Sequence, residues 1–277
     1  MSDKVAYLGP NGTFSHQAAR QITDEPVPYA NFSQIVTSVE TNEMGIGVLP
    51  LENSMEGAVT ETMDLLLELK NCYLVGEIVL PIKYELMTNN AQSIGEIKYV
   101  TSHPQALAQC KELFYNFPHL EQITANSTAE AAKSASLDST KAALGPSLCA
   151  ELYNLHSLWQ GPKNQSNNHT RFILIGDQFV EPTGKDRTSI CFGTSDTPGG
   201  LYSALAPFYE ESINLSRIES RPSKRRLGEY IFFLDIHGHV HDTKVNKAIS
   251  KLNKVATFNK ILGSYPKCET AKKIINL

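Results

Sequence analysis

The sequence predicts an α/β protein of two lobes with a cleft between them, followed by a smaller C-terminal domain. Three observations support this prediction. Strands and helices alternate through residues 1–183, two long extended segments interrupt the alternation, and residues 184–277 follow the order βαββαβ. A chain of 277 residues has room for about two domains, at roughly 100–200 residues each.

Lobe 1, predicted over about residues 1–80 and 165–183, begins with three strand–helix units. Strands are expected where apolar runs end at turn residues, at 5–8, 27–29 and 46–49. The helices are indicated by apolar residues three or four positions apart, namely Phe14, Ala18 and Ile22, then Ile35 and Val39, then Val59, Met63, Leu66 and Leu67.

Lobe 2, predicted over about residues 81–164, repeats the alternation. Its strands are expected at 99–100, around 123 and at 142–144, with helices at 106–117 and 129–135. Because strands alternate with helices, we expect parallel sheets with helices on both faces. Extended segments at 77–87 and 160–175 cross between the lobes, which predicts a hinged cleft like that of periplasmic binding proteins.

The C-terminal domain has the strand and helix order of a ferredoxin-like fold. Strands are predicted at 189–193, 215–221, 229–236 and 259–265, with helices at 201–208 and 245–255. Residues 230–234 are apolar on both faces, although a strand of a sheet with helices on one side only should alternate. We therefore expect a partner subunit to cover the second face or the edge of the sheet, and we predict a homo-oligomer, either a dimer or a tetramer.

Composition excludes several classes of function. Residues 1–185 have 11 Lys and Arg against 20 Asp and Glu, a balance of −9, whereas residues 186–277 have 14 against 9, a balance of +5. The basic residues of the tail are interspersed and accompany no DNA-binding motif, so we expect no nucleic-acid partner. There is no membrane span and no secretory signal, which predicts a cytoplasmic protein.

No metal site or cofactor is expected from the sequence. The five cysteines are widely spaced and form no Cys-x-x-Cys pattern, which argues against a disulfide framework or a structural zinc site. Three histidines, His237, His239 and His241, are spaced by two, but they follow a strand without carboxylate or cysteine neighbours. We interpret them as a solvated hairpin end.

Polar residues follow several predicted strands, where they would face the cleft. These candidates are Thr13, Glu52, Asn53, Ser54, Ser102, Gln105, Ser127 and Thr128. For Thr13, Ser54, Ser127 and Thr128, helix capping is the alternative role. His103 invites a general-base interpretation, but Pro104 fits the first position of a helix, so shaping of the turn is favoured over catalysis. Arg171 is one of two arginines in an acidic module, and a surface salt bridge is its alternative.

These segments together resemble the prephenate dehydratase family over nearly the whole chain. The resemblance rests on five motifs in the family's order: Gly9-Pro10-x-Gly-Thr13-Phe14-Ser15, Pro50-Leu-Glu52-Asn53-Ser54, Ser102-His-Pro-Gln105-Ala, Ser127-Thr128-Ala-x-Ala-Ala, and Asn168-x-Thr170-Arg171-Phe172. The resemblance implies conversion of prephenate to phenylpyruvate, with loss of carbon dioxide and water, in phenylalanine biosynthesis. It also implies that Thr170, Arg171 and Phe172 form the catalytic segment.

Within that resemblance, each site residue has an expected role. Thr170 would donate a hydrogen bond to the leaving hydroxyl, and Arg171 would neutralise a substrate carboxylate. The polar candidates at the strand ends, including Asn53 and Gln105, would bind and orient the substrate. Aromatisation drives the reaction, so no cofactor is implied.

The tail resembles an ACT regulatory domain, which implies L-phenylalanine as an effector. Two segments carry this resemblance, Gly199-Gly200-Leu201, where the family has alanine at the second position, and Glu219-Ser220-Arg221-Pro222. Two other functions remain open from the sequence. One is arogenate dehydratase, which performs the same chemistry on an aminated substrate, and the other is a non-enzymatic sensor of small solutes.

Overall fold

The computed structural model describes residues 4–161, 167–224 and 228–268. The first two sheets and their helices are formed by 18 elements in chain order: β1 (Val5–Leu8), α1 (Phe14–Ala19), β2 (Val27–Tyr29), α2 (Phe32–Glu40), β3 (Ile46–Asn53), β4 (Gly57–Ala58), α3 (Thr60–Glu68), β5 (Tyr73–Pro81), β6 (Glu85–Thr88), β7 (Tyr99–Ser102), α4 (Pro104–Gln109), α5 (Lys111–Asn116), β8 (Glu121–Thr124), α6 (Thr128–Ser136), β9 (Lys141–Gly145), α7 (Leu148–Tyr153), β10 (His156–Gln160) and β11 (His169–Gly176).

Lobe 1 is a sheet with strand order β2-β1-β3-β11-β5, and β4 pairs with the end of β3. Successive side chains of a strand point to opposite faces, and both faces here are apolar. On one face, Tyr7, Val48 and Phe172 pack in a core that also contains the α1 residues Ala18 and Ala19. The other face contributes to a second core, which includes residues of α2 and α3.

Lobe 2 has strand order β10-β6-β9-β7-β8. The two-lobed α/β architecture is thus confirmed, but the expectation of parallel sheets is wrong. In lobe 1, β11 runs antiparallel to both β3 and β5, and in lobe 2, β6 runs antiparallel to both β9 and β10. The strands that run against the rest are those next to the two crossings. β6 and β11 each enter their sheet directly from the other lobe, without the crossover helix from a strand of the same sheet that makes neighbouring strands parallel.

The C-terminal domain consists of β12 (Asp186–Gly193), α8 (Gly200–Glu210), β13 (Leu215–Pro222), β14 (Tyr230–His237), α9 (Thr243–Leu252) and β15 (Phe258–Pro266). Its sheet has the order β13-β14-β12-β15, with antiparallel pairing throughout. The predicted βαββαβ order is confirmed. Ile190, Phe192 and Leu234 on one face of the sheet form a core with α8 and α9.

The second face of this sheet packs on lobe 1 of the same chain. Cys191, Ile231 and Phe233 share a core with Met63 and Leu66 of α3. Lobe 1 covers this face at Ile231 and Phe233, so the expectation that a partner subunit covers the face is wrong, whereas cover at the edge of the sheet stays a prediction. Homo-oligomerisation remains a prediction without this support.

The two domains approach most closely between β15 and β5. Gly263 lies against the backbone of Leu74, and a Cβ atom at this position would overlap the Leu74 carbonyl oxygen. A side chain at position 263 is therefore incompatible with this docking of the C-terminal domain.

Candidate active site

A cavity of about 240 Å³ lies between the two lobes and brings together four of the predicted substrate-binding residues. These are Thr13, Gln105, Ser127 and Thr128. Thr13 and Ser127 also act as helix caps, because their hydroxyl oxygens accept hydrogen bonds from the backbone N–H groups of His16 and Glu130. Thr13 and Ser127 therefore cap their helices and line the cavity at the same time.

His103 lines the same cavity, and its ring caps helix α4. Its Nδ1 accepts a 3.3 Å hydrogen bond from the backbone N–H of Gln105, and Pro104 occupies the first turn. The favoured interpretation from the sequence, that His103 shapes this turn, agrees with the geometry.

Thr170 forms a hydrogen bond with Asn53 across the β3–β11 pair. The Asn53 amide nitrogen donates to Thr170 Oγ1 at 2.9 Å. The orientation of the amide is fixed, because Asn53 Oδ1 accepts from the backbone N–H groups of Met55 and Glu56 at 2.9 and 3.1 Å. Thr170 Oγ1 is thus an acceptor toward Asn53, which leaves its own hydrogen free to be donated elsewhere.

A chain of side-chain amides joins this pair to lobe 2. Asn53 Nδ2 donates to Asn168 Oδ1 at 2.9 Å, and Asn168 Nδ2 donates to Gln109 Oε1 at 2.8 Å. Gln109 ends helix α4, which also carries Gln105 at the cavity. Residues four apart lie on one face of a helix, so α4 connects the Thr170 group to the cavity wall.

Three predicted site residues have structural partners in this conformation. Ser102 is fully buried and donates to the Leu144 carbonyl at 2.6 Å, which joins β7 to β9. Ser54 donates to the Asn167 carbonyl and accepts from the His169 N–H. Phe172 is buried in the core of lobe 1. The predicted substrate-binding role of Ser102 and the predicted catalytic role of Phe172 do not fit these buried positions.

Arg171 and Glu52 lie on the face of the sheet that meets the C-terminal domain. Arg171 donates to Glu77 and Asp235 at 2.6 Å each, to Glu52 at 3.1 Å, and to the Tyr265 hydroxyl at 2.9 Å. The prediction that Arg171 neutralises a substrate carboxylate does not fit this position, because three protein carboxylates already engage its guanidinium. Its salt bridges are mostly buried, unlike the surface pair considered as the alternative.

We call Arg171 and five charged side chains around it the interdomain ion cluster: Glu52, Glu77, Arg171, Arg187, Arg217 and Asp235. Arg187 binds Glu77, and Arg217 Nε binds the second oxygen of Glu52 at 3.0 Å. Burial raises the pKa of Asp235, but the charges of Arg171 and Arg217 and the hydrogen bonds from Ser189 and Arg171 outweigh burial and lower it overall.

Four members of this cluster were not predicted from the sequence. Glu77 and Asp235 each interrupt an otherwise apolar strand, whereas Arg187 follows Asp186 in the polar first half of β12. A charged residue within an apolar strand signals a buried ionic partner, because an unpaired buried charge is costly. That signal is present in the sequence, although it does not identify the partners.

The predicted effector residues lie on two elements of the C-terminal domain. Gly199 adopts a left-handed conformation (φ +82°) just before α8, where Gly200 and Leu201 follow. Glu219, Ser220, Arg221 and Pro222 lie on the edge strand β13. Arg221 reaches lobe 1, where it binds Asp64 of α3 at 3.0 Å.

In the described parts of the chain, no group of three or more metal-binding side chains is assembled, and no helix is long and apolar enough to cross a membrane.

Comparison with known proteins identifies the family. The family profile for prephenate dehydratase matches residues 5–179, and the profile for the ACT domain matches residues 189–254. The chain belongs to the prephenate dehydratase family. It is accordingly a lyase of phenylalanine biosynthesis with a C-terminal ACT domain.

Similar proteins support this assignment. The prephenate dehydratase of Methanocaldococcus jannaschii is 40% identical over an alignment of 278 positions, gaps included, that covers 96% of this chain and 99% of that protein. A bifunctional chorismate mutase/prephenate dehydratase of Aquifex aeolicus is 42% identical over an alignment that covers 95% of this chain and 74% of that protein.

A solved structure shows the same fold. The prephenate dehydratase of Arthrobacter aurescens in complex with L-Phe superimposes with a TM-score of 0.88 at 30% identity, covering 98% of this chain and 92% of that one. All three relatives are named as prephenate dehydratases. Their names therefore do not favour the two alternatives, arogenate dehydratase and a sensor of small solutes.

Proposed function

We propose that the interlobe cleft converts prephenate to phenylpyruvate and that Thr170 assists departure of the ring hydroxyl. The observation that carries this proposal is the Asn53–Thr170 hydrogen bond. Because Asn53 donates to Thr170 Oγ1, the threonine hydrogen is directed away from Asn53 and is available to a substrate oxygen.

The reaction needs only one proton from its surroundings. In the prephenate dianion, the bond to the ring carboxylate breaks and releases carbon dioxide, and its electron pair moves into the ring. The ring C–O bond breaks, and the departing oxygen takes up one proton to leave as water. A hydrogen bond from Thr170 to that oxygen stabilises the charge that develops on it, which is the kind of interaction that accelerates a chemical step.

Hydrogen-bond donors around the cavity suit the two carboxylates of prephenate. Thr128, which has a hydroxyl group, and Gln105, which has an amide, line the cavity, and Thr13 lines it with a hydroxyl that donates to the Pro10 carbonyl at 3.2 Å. Thr128 opens helix α6, whose first backbone N–H groups point toward an anion placed there. We therefore assign orientation of the substrate to these residues, with Asn53 holding Thr170.

Substitution of Thr170 tests this assignment. Thr170→Val keeps the shape of the side chain and removes the hydroxyl. We expect kcat to fall about 10²–10³-fold, as for the loss of one donor to a developing oxyanion, with a smaller change in KM. Thr170→Ser keeps the hydroxyl and is the matched control, which should retain more activity than the valine variant. A valine variant with near-wild-type kcat would contradict the role of Thr170.

We further propose that L-phenylalanine inhibits the enzyme by binding at the ACT domain. The relative from Arthrobacter aurescens is described in complex with L-Phe, and segments 199–201 and 219–222 of this chain resemble the effector segments of the family, with Gly200 where the family has alanine. The test is phenylpyruvate formation from prephenate with and without L-phenylalanine. Unchanged activity at saturating L-phenylalanine would contradict this regulation.

The proposed assembly is a cytoplasmic homo-oligomer, with the exposed edge strand β13 available for contact between copies. Light scattering coupled to size-exclusion chromatography, in the presence and absence of L-phenylalanine, distinguishes monomer, dimer and tetramer. A monomer under both conditions would contradict the assembly. Comparison of prephenate with arogenate as substrates completes the assignment, and faster turnover of arogenate would overturn the preference for prephenate.

A further inference from the structure

Neighbouring residues of β3 and β11 serve two different sites at the same time. Thr170 pairs with Asn53, and Arg171 pairs with Glu52, in the register of the two strands. Asn53 and Thr170 are hydrogen-bonded to each other and, through Asn168, to lobe 2. Glu52 and Arg171 form a 3.1 Å ion pair and contact the ACT domain. One backbone step therefore separates the reacting group from the domain interface.

The ACT domain supplies a charged partner to each of Glu52 and Arg171, in addition to Glu77 of lobe 1, which also pairs with Arg171. Arg217 Nε lies 3.0 Å from Glu52, and the buried Asp235 lies 2.6 Å from Arg171. In the interdomain ion cluster, the catalytic domain contributes two carboxylates and one guanidinium, a charge of −1. The ACT domain contributes one carboxylate and two guanidiniums, a charge of +1. The cluster is neutral only while the two domains are docked, and buried ion pairs tolerate separation poorly.

Arg217 also lies on the strand that carries the predicted effector segment. It precedes Glu219 by two residues on β13, and alternate residues of a strand share a face. Arg221, two residues further along, likewise contacts lobe 1. A displacement of β13 on effector binding would thus act directly on the Arg217–Glu52 ion pair.

Resting on the function proposed above, we propose that Arg217 and Asp235 are positioning residues for the reaction at Thr170. They hold Glu52 and Arg171, and through these two residues the effector state of the ACT domain sets the geometry of the Asn53–Thr170 hydrogen bond. Coupling between two sites requires a structural element whose arrangement both sites influence, and the paired strands β3 and β11 with the interdomain ion cluster form such an element.

The experiment compares Arg217→Ala with a control that crosses the same interface. Lys224 forms a 2.7 Å ion pair with Asp64 of lobe 1, but its side chain is 69% exposed, so Lys224→Ala should leave basal activity and inhibition unchanged. For each protein, phenylpyruvate formation is measured over a range of L-phenylalanine concentrations. Binding of L-phenylalanine is measured separately by calorimetry on the same full-length protein.

We expect Arg217→Ala to bind L-phenylalanine within about threefold of the wild-type Kd, while the fold-inhibition at saturation falls at least about fivefold, the lower end of typical allosteric coupling. Retained binding with lost inhibition is not the signature of general destabilisation. Arg217→Lys, which restores the positive charge, should recover part of the inhibition. Wild-type inhibition in Arg217→Ala would overturn the inference.

A double variant tests whether Arg217 acts through Glu52. In a Glu52→Gln background, Arg217→Ala should cause no further loss of inhibition, because its partner charge is already absent. Additive losses would overturn the inference. Wild-type enzyme that turns over prephenate but does not respond to L-phenylalanine would overturn the regulation and this inference together. Absence of turnover in wild type would instead overturn the proposed function on which the inference rests.

Discussion

Removing the charge of Asp235 is the most direct test of the interdomain ion cluster. Asp235 is 2% exposed and accepts 2.6 Å hydrogen bonds from Arg171 and Ser189. The three carboxylates of the cluster balance its three guanidiniums, so Asp235→Asn leaves one uncompensated positive charge in a buried site. Breaking a buried ion pair in this way typically costs about 3–5 kcal/mol. Asparagine keeps the shape and can still accept from Ser189, so we expect a cost at the lower end, about 3 kcal/mol.

This loss of stability is measurable by thermal unfolding. For a protein of this size, 1 kcal/mol shifts Tm by about 2–4 °C, so Asp235→Asn should lower Tm by about 6–12 °C at pH 7. The matched control is Asp138→Asn, because Asp138 forms a surface ion pair with Lys141 at 3.2 Å. An exposed pair contributes about 0–1 kcal/mol, and the control should unfold near the wild-type Tm.

The pH dependence gives this prediction a second readout. The pKa of Asp235 is lowered in the folded protein from its ordinary value of 3.8. Its ionised form therefore contributes its full stabilisation above pH 3.8, and this contribution is lost as the pH falls through the lowered pKa. The stability difference between wild type and Asp235→Asn should be complete at pH 7 and shrink below pH 3.8. A difference under about 1 kcal/mol at pH 7, or one that does not change with pH, would show that this charge does not hold the cluster together.

Two further predictions concern the packing of lobe 1. Gly47→Ala places a Cβ 2.8 Å from side-chain carbons of both Ile35 and Ile175, so we expect thermal unfolding to show a stability lower by about 1–3 kcal/mol. Gly95→Ala is the control, because its Cβ would make only an ordinary 3.8 Å contact and should leave the stability unchanged. A Gly47→Ala variant more stable than wild type would contradict this prediction. Burial lowers the pKa of His16 from its ordinary value of 6.5. The stabilisation from neutral His16 is complete above pH 6.5 and is lost as the pH falls through the lowered pKa. We therefore expect the Tm of His16→Gln to fall less than the wild-type Tm when the pH is lowered below 6.5. The same dependence of Tm on pH in both proteins would contradict this prediction.

Most of the order of elements was predictable because it depends on local patterns. Apolar periodicity located most strands and helices of both lobes, and the βαββαβ order of the tail followed from the same signal, but α7 and β10 near the end of lobe 2 were not predicted. Strand direction was not predictable in this way. The reversed strands β6 and β11 follow short connections between sheets, and periodicity contains no information about which sheet a strand joins.

The candidate site shows a similar division. Thr13, Gln105, Ser127 and Thr128 do meet at one cavity, because strand ends and helix starts converge at the cleft. Glu52 and Arg171 have other partners, since alternation along a strand assigns neighbours to opposite faces without identifying the element that covers each face. The apolar run at 230–234 shows the same limit, because it required a cover that lobe 1 supplies.

The glycine at position 263 has a consequence for engineering. Because its Cα lies against the Leu74 backbone, the ACT domain and lobe 1 meet there without an intervening side chain. A chimera that receives an ACT domain from another protein would keep this docking only if glycine occupies the corresponding position of its last strand. A recombination library can therefore exclude, on that one residue, donor domains that would remain tethered to lobe 1 without docking on it.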